Sequence, residues 1–227
     1  FFKEVSGDEI SIAMYLIQGR LVPRFVNLEF HFSRKMILKS LTELEVSQGK
    51  TEEILKIDNH PKGRVDRLFR ELGDEGLVAK KLTEELNLGL QNNLSITEVY
   101  DMLLNLAKLE GKGSQENKIR SYINIVKKLD PLSVKFISRT IVGNLRLGIS
   151  DKTVLDSLSW FKHGDKSIRS KLDLAYGARS DIGEIAKIII ESKQDIDKIL
   201  GNISVQPGTP IASKLVEREI DSTAVWK

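Results

Sequence analysis

The feature that most constrains this chain is a series of helix-start signals, each followed by an amphipathic stretch. The clearest is Ser95-Ile96-Thr97-Glu98, a capping box in which Ser95 accepts a hydrogen bond from the Glu98 N–H and Glu98 reaches back. Apolar residues then recur at helical spacing until Gly111, where we expect the helix to stop. Asp130-Pro131 places proline at the first helical position, where its missing N–H costs nothing. The pattern predicts an all-α fold, an irregular bundle of many short helices.

Proline and glycine mark the end of the helical part. The stretch 203–211 contains Pro207, Gly208 and Pro210 and cannot be helical throughout, so it is predicted to be an extended connector. We therefore predict a helical domain over residues 1–203 and a linker over 204–227 that leads into a further domain. Because the chain begins at Phe1 without a methionine, we expect it to be a piece of a longer protein. Helices and glycines are too irregularly spaced for a helical solenoid.

Composition argues against several classes of protein. The 227 residues include no cysteine, which rules out disulfides and thiolate zinc sites and fits a reducing cytoplasmic compartment. No apolar run is long enough to span a bilayer, so no membrane partner is expected. His31, His60 and His163 stand apart from one another, and no nucleotide-binding glycine motif is present. We therefore assign no catalytic residue and no metal ligand.

Positive charge is unevenly distributed along the chain. The whole chain has 35 basic and 32 acidic residues, a net charge of +3, which is weak evidence for a nucleic-acid partner. Residues 111–150 contain eight basic and two acidic residues, and residues 20–39 contain five Lys or Arg and one Glu. Two such zones are typical of a face that binds a polyanion, although solvated helix surface explains them equally well.

Two loops in the first of these zones have features of phosphate sites. The earlier one is Gly111-Lys112-Gly113-Ser114-Gln115. Its glycines let the backbone approach a ligand closely, and the N–H groups of the following helix attract anions. We expect Ser114 to cap that helix, and Lys112 and Lys118 to add outward-facing charge. A plain glycine-containing turn between helices explains the same pattern and, on the pattern alone, is the better explanation.

The later loop is Gly143-Asn144-Leu145-Arg146-Leu147-Gly148-Ile149-Ser150, just before another helix start. Its two leucines are expected to anchor the loop and leave Arg146 aimed outward beside Gly148. A helix connection explains the glycines but not an arginine inside an apolar run. Two such loops in one basic zone favour binding to a phosphate backbone, which positions a protein without reading base sequence.

Several short motifs, in this order, resemble one family. They are Tyr15-Leu16-Ile17-Gln18-Gly19-Arg20-Leu21-Val22-Pro23, Gly73-Asp74-Glu75-Gly76-Leu77-Val78-Ala79, Val99-Tyr100-Asp101, the two loops above with Arg139 before the second, and Pro207-Gly208-Thr209-Pro210-Ile211. The ordered set covers nearly the whole chain and is similar to the N-terminal domain of ATP-dependent DNA ligases of the archaeal and eukaryotic replicative type. Each motif alone is weak, whereas the set is specific.

The resemblance implies both a partner and a set of contacts. In that family this domain is a helical bundle that binds the minor groove on both sides of a nick and helps the adenylation and OB-fold domains close around the duplex. Double-stranded nicked DNA is therefore the implied partner. The resemblance leaves undecided whether a sliding clamp is a second partner. The residues to which the resemblance assigns DNA contact are Gly111, Lys112, Gly113, Ser114, Gln115, Lys118, Arg146 and Gly148, with Arg139 as a neighbour. The motif at residues 73–79 is interpreted as a structural turn.

The resemblance also implies a parent enzyme that seals nicks with ATP and Mg²⁺, in the cytoplasm or, in a eukaryote, the nucleus. The nucleotidyl-accepting motif Lys-x-Asp-Gly is missing, since Lys56-Ile57-Asp58-Asn59 lacks the glycine and lies far upstream. We therefore expect this chain alone to be inactive and to need no cofactor. Beyond Pro210, Ala212-Ser213-Lys214 departs from the family's usual Met-Leu-Ala. The alternative is a helical protein-interaction module whose basic zones contact an acidic partner protein.

Overall fold

The described part of the chain is built from helices alone. The structure is a computed structural model that describes residues 2–5, 7–49, 63–89, 93–192 and 195–212. Among these residues there are eleven helices and no strand. They are α1 (Gly7–Ile17), α2 (Arg34–Ser47), α3 (Gly63–Leu72), α4 (Glu75–Glu85), α5 (Ile96–Ala107), α6 (Ser114–Lys128), α7 (Pro131–Ile141), α8 (Asp151–His163), α9 (Arg169–Ala178), α10 (Ile182–Glu191) and α11 (Ile196–Gly201). The predicted all-α fold is confirmed.

Local capping explains where several of these helices begin. The capping box predicted at Ser95 is present, with the Glu98 N–H donating to Ser95 Oγ at 3.2 Å and the Ser95 N–H donating to Glu98 Oε2 at 2.8 Å. Asp130 caps α7 just before Pro131, as predicted, and Ser150 forms a second capping box with Thr153 at the start of α8. Short-range signals in the sequence therefore set these boundaries.

The helices pack around two separate apolar cores. The first core is formed by buried side chains between Leu21 and Ile141, from α2 to α7, and we call this part the central lobe. The second is formed by α1 together with α8 to α11, and we call it the terminal lobe. The terminal lobe therefore combines the first described helix with the last four. The chain has to cross between the lobes twice, once after α1 and once after α7.

The first helix is fixed to the terminal lobe through α10. The Tyr15 hydroxyl donates to Asp181 Oδ1 at 2.6 Å, and the Ser11 hydroxyl donates to the Gly183 carbonyl at 3.0 Å. A Cβ at Gly183 would lie 2.6 Å from the Tyr15 ring, so glycine allows the two helices to approach this closely. This contact joins residues at opposite ends of the described chain.

The predicted connector is non-helical from Ile203 to Ala212 and lies against the end of α9. The Ala212 N–H donates to the Gly177 carbonyl at 3.0 Å, and the Ser180 hydroxyl donates to the Pro210 carbonyl at 2.5 Å. The connector is thus fixed to the terminal lobe at least as far as Ala212. In the described ranges, no helix has the length and apolar character needed to cross a bilayer.

Candidate nucleic-acid interface

The two chain crossings between the lobes pack on each other. A Cβ at Gly19, in the first crossing, would lie 3.1 Å from the Leu145 Cβ in the second, so the backbone and the leucine are in direct contact. Asp151, at the start of α8, accepts hydrogen bonds from Gln18 Nε2 at 2.8 Å and from Arg24 Nη1 at 2.9 Å. These contacts fix residues 18–24 relative to the loop that precedes α8.

Residues 19–33, which we call the crossing segment, have no helix but are held at several points. Leu21, Phe30 and Phe32 are buried in the core of the central lobe. The Tyr100 hydroxyl donates to the Leu21 carbonyl at 3.0 Å, and Lys118 Nζ donates to the Phe30 carbonyl at 2.5 Å. Side-chain donors thus satisfy backbone carbonyls that in a helix or sheet would pair with the backbone.

The crossing segment separates two surface clefts. The larger, about 1440 Å³, lies between residues 145–152 and α9. The smaller, about 850 Å³, lies between the crossing segment, Gln115 and the end of α7 at residues 140–143. Arg20, Arg24 and Phe25 line both clefts. The structure therefore places the crossing segment between the two loops that the sequence singled out.

The first predicted loop is exposed and lacks a cap. Gly113 is the N-cap residue of α6, with φ of +81°, and among the described residues no side chain caps the start of this helix. The prediction that Ser114 caps this helix is wrong, because the helix begins at Ser114 itself. Gly111, Lys112, Gly113 and Gln115 are exposed, and Ser114 is half-buried. An uncapped helix start in an exposed loop leaves N–H groups and the positive end of the helix dipole facing solvent.

The prediction that Lys118 faces outward is wrong. Its side chain is only 3% exposed, and its ammonium group reaches the Phe30 carbonyl. One turn further along α6 is Tyr122, which is fully buried, so position 118 lies on the inner face of the helix. Burial also lowers the pKa of Lys118. The long aliphatic stem crosses apolar surface, and the charged end holds the crossing segment instead of extending into solvent.

The second predicted loop is held on one side and open on the other. Leu145 is buried as expected, but Leu147 is 45% exposed, so only one of the two leucines anchors the loop. Gly148 is exposed, has φ of +66°, and has nothing within 4 Å of an added Cβ. Its glycine is therefore required by the backbone conformation and not by packing within this chain.

Arg146 has an unusual backbone conformation. Its φ is +58°, a left-handed value that costs a residue with a side chain about 1–2 kcal/mol. The side chain is 47% exposed, and its Nη1 lies 3.1 Å from Asp74 Oδ2. Arg146 is thus exposed as predicted, but it is also tethered, which the sequence did not indicate.

Arg139 reaches the same carboxylate from a buried position. Its Nε lies 3.1 Å from each Asp74 oxygen, and its side chain is 13% exposed. Asp74 is 2% exposed and also accepts the Leu77 N–H at 2.9 Å as the N-cap of α4. A Cβ at Gly76 would lie 2.5 Å from the Lys135 carbonyl, so α4 and α7 approach very closely here. The motif interpreted as a turn is therefore the start of a helix and the anchor of two arginines.

Sequence reasoning did not assign Arg20 and Arg24 to the site. Arg24 is exposed, whereas Arg20 is half-buried, and burial together with the nearby Arg24 lowers the Arg20 pKa. Their signal was the basic zone at residues 20–39, but charge alone does not separate them from the other cations of that zone. Arg34, for example, is used within the protein: its Nε lies 3.2 Å from Glu75 and its guanidinium stacks over Phe69.

No three His, Cys, Asp or Glu side chains in the described residues lie close enough together to hold a metal ion. His31 and His163 are both exposed. His60 and the near-match Lys56-Ile57-Asp58-Asn59 lie outside the described residues. The groups that the two loops and the crossing segment present to a ligand are cations and exposed backbone N–H groups.

Comparison with known proteins agrees with this picture. The chain matches the family described as DNA ligase N terminus over residues 1–159. It is 35% identical to a probable DNA ligase of Aquifex aeolicus over 217 residues, 96% of this chain and 34% of that protein. It is 34% identical to a DNA ligase of Sulfurisphaera tokodaii over 232 residues, 99% of this chain and 36% of that protein. The chain spans about a third of the length of these relatives. The resemblance seen in the motifs is confirmed, and this chain belongs to the DNA ligase N-terminus family.

Proposed function

We propose that this chain is the DNA-binding domain of a DNA ligase and that it holds nicked duplex DNA through its phosphate backbone. The surface that binds consists of Arg20 and Arg24 of the crossing segment, residues 111–115 and residues 146–148. We call it the crossing surface. Its observed basis is that Arg20, Arg24 and Phe25 line both clefts, between Gln115 on one side and Arg146 on the other.

Each part of the crossing surface offers a group that suits a phosphate. The uncapped start of α6 presents backbone N–H groups, with Lys112 beside them. Arg146 presents a half-exposed guanidinium, which can pair with phosphate through several N–H groups at once. Lys118 is assigned a different role, because its ammonium is buried: it positions the crossing segment. Arg139 is likewise assigned a role other than direct contact, because it pairs with Asp74, the carboxylate that also holds Arg146.

Sequence-independent binding follows from this chemistry. Cations and backbone N–H groups pair with phosphates, which are the same in every duplex, whereas base reading needs matched donors and acceptors in a groove. A ligase domain that must accept any sequence needs such contacts. The exposed Phe25 and Leu147 add apolar surface, which suits a sugar-lined minor groove.

The activity of the whole protein is part of the same proposal. The relatives are DNA ligases about three times as long as this chain, and we place ATP, Mg²⁺ and the joining reaction in the adenylation and OB-fold domains of the parent. The described residues do not provide a metal site, so we derive no catalytic step from them. By itself the chain binds duplex DNA without sealing it. A sliding clamp would be a further partner of the parent protein. We place the parent protein in the cell compartment that contains the DNA.

The test is fluorescence anisotropy of this chain on nicked, intact and single-stranded DNA over a salt series. Both duplexes should bind, with log affinity falling against log salt by about 0.9 for each phosphate contacted. In a variant with both Arg20 and Arg24 changed to alanine, that slope should fall by about 2, which corresponds to two lost phosphate contacts. The matched control changes Lys127 and Lys128, which are exposed at the other end of α6, and should keep most of the affinity.

Competition with heparin separates the two candidate functions. If the chain is specific for DNA, duplex should stay bound at heparin concentrations that displace a ligand held only by general attraction to negative charge. If the chain does not bind duplex at low salt, or binds heparin equally well, the proposal is wrong and the interaction module with an acidic partner protein becomes the better explanation.

A further inference from the structure

The carboxylate of Asp74 joins the rigid core of the central lobe to the exposed second loop. Its position is fixed because it caps α4 through the Leu77 N–H, and because α4 meets α7 closely at Gly76. The side chain is 2% exposed, so it contributes no surface of its own to the crossing surface. Any effect of Asp74 on binding must act through the residues that it contacts.

Two guanidinium groups share this one carboxylate. Arg139 donates from Nε at 3.1 Å to each oxygen, and Arg146 Nη1 lies 3.1 Å from Oδ2. Burial alone would raise the Asp74 pKa, but the hydrogen bonds and charges of these groups outweigh it and lower the pKa. Asp74 is therefore ionised at neutral pH. The cluster holds two positive charges and one negative charge, and the exposed guanidinium is that of Arg146.

The tether leaves most of Arg146 available. A guanidinium has five N–H donors, and the contact with Asp74 engages one end of the group. The left-handed backbone at Arg146 and the burial of Leu145 fix where the side chain leaves the loop. Without the carboxylate, Arg139 and Arg146 would repel each other and the exposed one would turn away.

We propose that Asp74 is a positioning residue for DNA binding: its carboxylate holds Arg146 in the orientation in which the free side of the guanidinium meets a phosphate. Because Arg146 is already ordered, it loses little side-chain entropy on binding, and this loss would otherwise weaken association. This inference rests on the proposed duplex binding and adds a residue that does not itself touch DNA. The Gly-Asp-Glu-Gly motif is thereby given a role in recognition as well as in helix start.

The test uses Asp74→Asn, which keeps the shape and the helix cap and removes only the charge. We expect about tenfold weaker duplex binding and a salt slope lower by about 0.9, as if one phosphate contact were lost. In a chain that already carries Arg146→Ala, adding Asp74→Asn should have no further effect, because both changes remove the same contact. Asp74→Ser, which also caps a helix, repeats the test if the Asn variant folds poorly.

The matched control is Asp181→Asn. Asp181 also caps a helix, α10, and also accepts a bond from another side chain, the Tyr15 hydroxyl, but it has no ion pair with an arginine of the described residues. Its replacement should leave the affinity and the salt slope unchanged. A general loss of stability would instead affect both variants alike.

A second readout needs no DNA. Trypsin cleaves after arginine, and the tethered Arg146 should be cut slowly in the free chain. Asp74→Asn should speed cleavage after Arg146 at least fivefold, with the product identified by mass, while Asp181→Asn should not. If the original chain binds duplex but Asp74→Asn binds equally well or more tightly, with an unchanged slope, the inference is overturned. Tighter binding would mean that Asp74 competes with DNA for Arg146. If the original chain does not bind duplex, the proposed function fails first, and the inference fails with it.

Discussion

The two loops of the crossing surface look alike in sequence and differ in how they are held. Both have glycines around a cation, and both precede a helix. In the first, Gly111, Lys112 and Gly113 are exposed, and no side chain in the described part of the chain caps α6. In the second, Leu145 is buried against Gly19, Asp74 holds Arg146, and Ser150 caps α8. One loop offers backbone N–H groups on an open turn, whereas the other offers an arginine fixed in place.

If both loops bind phosphate, as proposed, this difference gives them two ways to do so. Backbone N–H groups at a helix start are already ordered by the helix, so the loop before them needs few restraints. An arginine has several rotatable bonds, and restraining it in advance reduces the entropy lost on binding. Each loop is therefore restrained where its own binding group would otherwise be mobile. Four experiments test this comparison.

The largest effect is expected from Lys118→Met, which removes the support under the crossing segment between the loops. The buried Phe30 carbonyl loses its donor, and we expect the free energy of unfolding to fall by about 1–3 kcal/mol. Urea unfolding measures this change. Lys112→Met, at an exposed lysine in the neighbouring loop, is the control and should leave stability unchanged. Equal stability of the two variants would contradict the anchoring role.

Arg146→Ala and Lys112→Ala compare the tethered cation with the free one. Each removes one positive charge, so each should lower the salt slope by about 1. The loss of affinity should be about tenfold or more for Arg146, since a charge-assisted contact contributes roughly 1.5–3 kcal/mol, and smaller for Lys112, which must be ordered on binding. Anisotropy titrations at one salt concentration compare them directly. Equal losses would mean that the tether has no consequence for binding.

Gly113→Ala tests the open loop. A residue with a Cβ at φ of +81° should cost about 1–2 kcal/mol of stability and weaken duplex binding as the turn shifts. Gly177→Ala is the matched control, because that glycine lies within α9 and has nothing within 4 Å of an added Cβ. It should be neutral or stabilising by up to about 1 kcal/mol. If both variants behave alike, the left-handed conformation at Gly113 is not needed.

The smallest effect is a pH dependence of stability at Asp74. The pKa of this carboxyl is lowered in the folded protein, from an unfolded value of about 3.9. Its stabilising contribution is therefore complete above about pH 5 and is lost as the pH falls through the folded-state pKa. Urea unfolding from pH 7 to pH 3 should show the original chain losing more stability than Asp74→Asn. A constant difference between the two across this range would contradict the charge-based account of the tether.

The sequence could predict the all-α fold and several of the helix starts. The capping boxes, Asp130-Pro131 and the apolar stripes depend on residues within one or two turns of each other, so they are readable locally. The ordered motifs identified the family, and Lys112 and Arg146 are exposed as predicted. The DNA contacts assigned to those loops remain predictions. The end of the helical domain near residue 203 is likewise a prediction, although the last described helix ends at Gly201.

What the sequence by itself determined is the all-α fold, the helix starts at Ser95, Asp130 and Ser150, and the basic zones in which the two loops lie. Only the tertiary structure decided which cationic side chains are buried and which are exposed. Lys118 reaches a carbonyl 88 residues away, and Arg139 a carboxylate 65 residues away. Such pairs carry no periodic signal, because they depend on how whole helices meet and not on spacing along one of them. That Arg146 is exposed while Arg139 and Lys118 point inward therefore depends on how the helices pack.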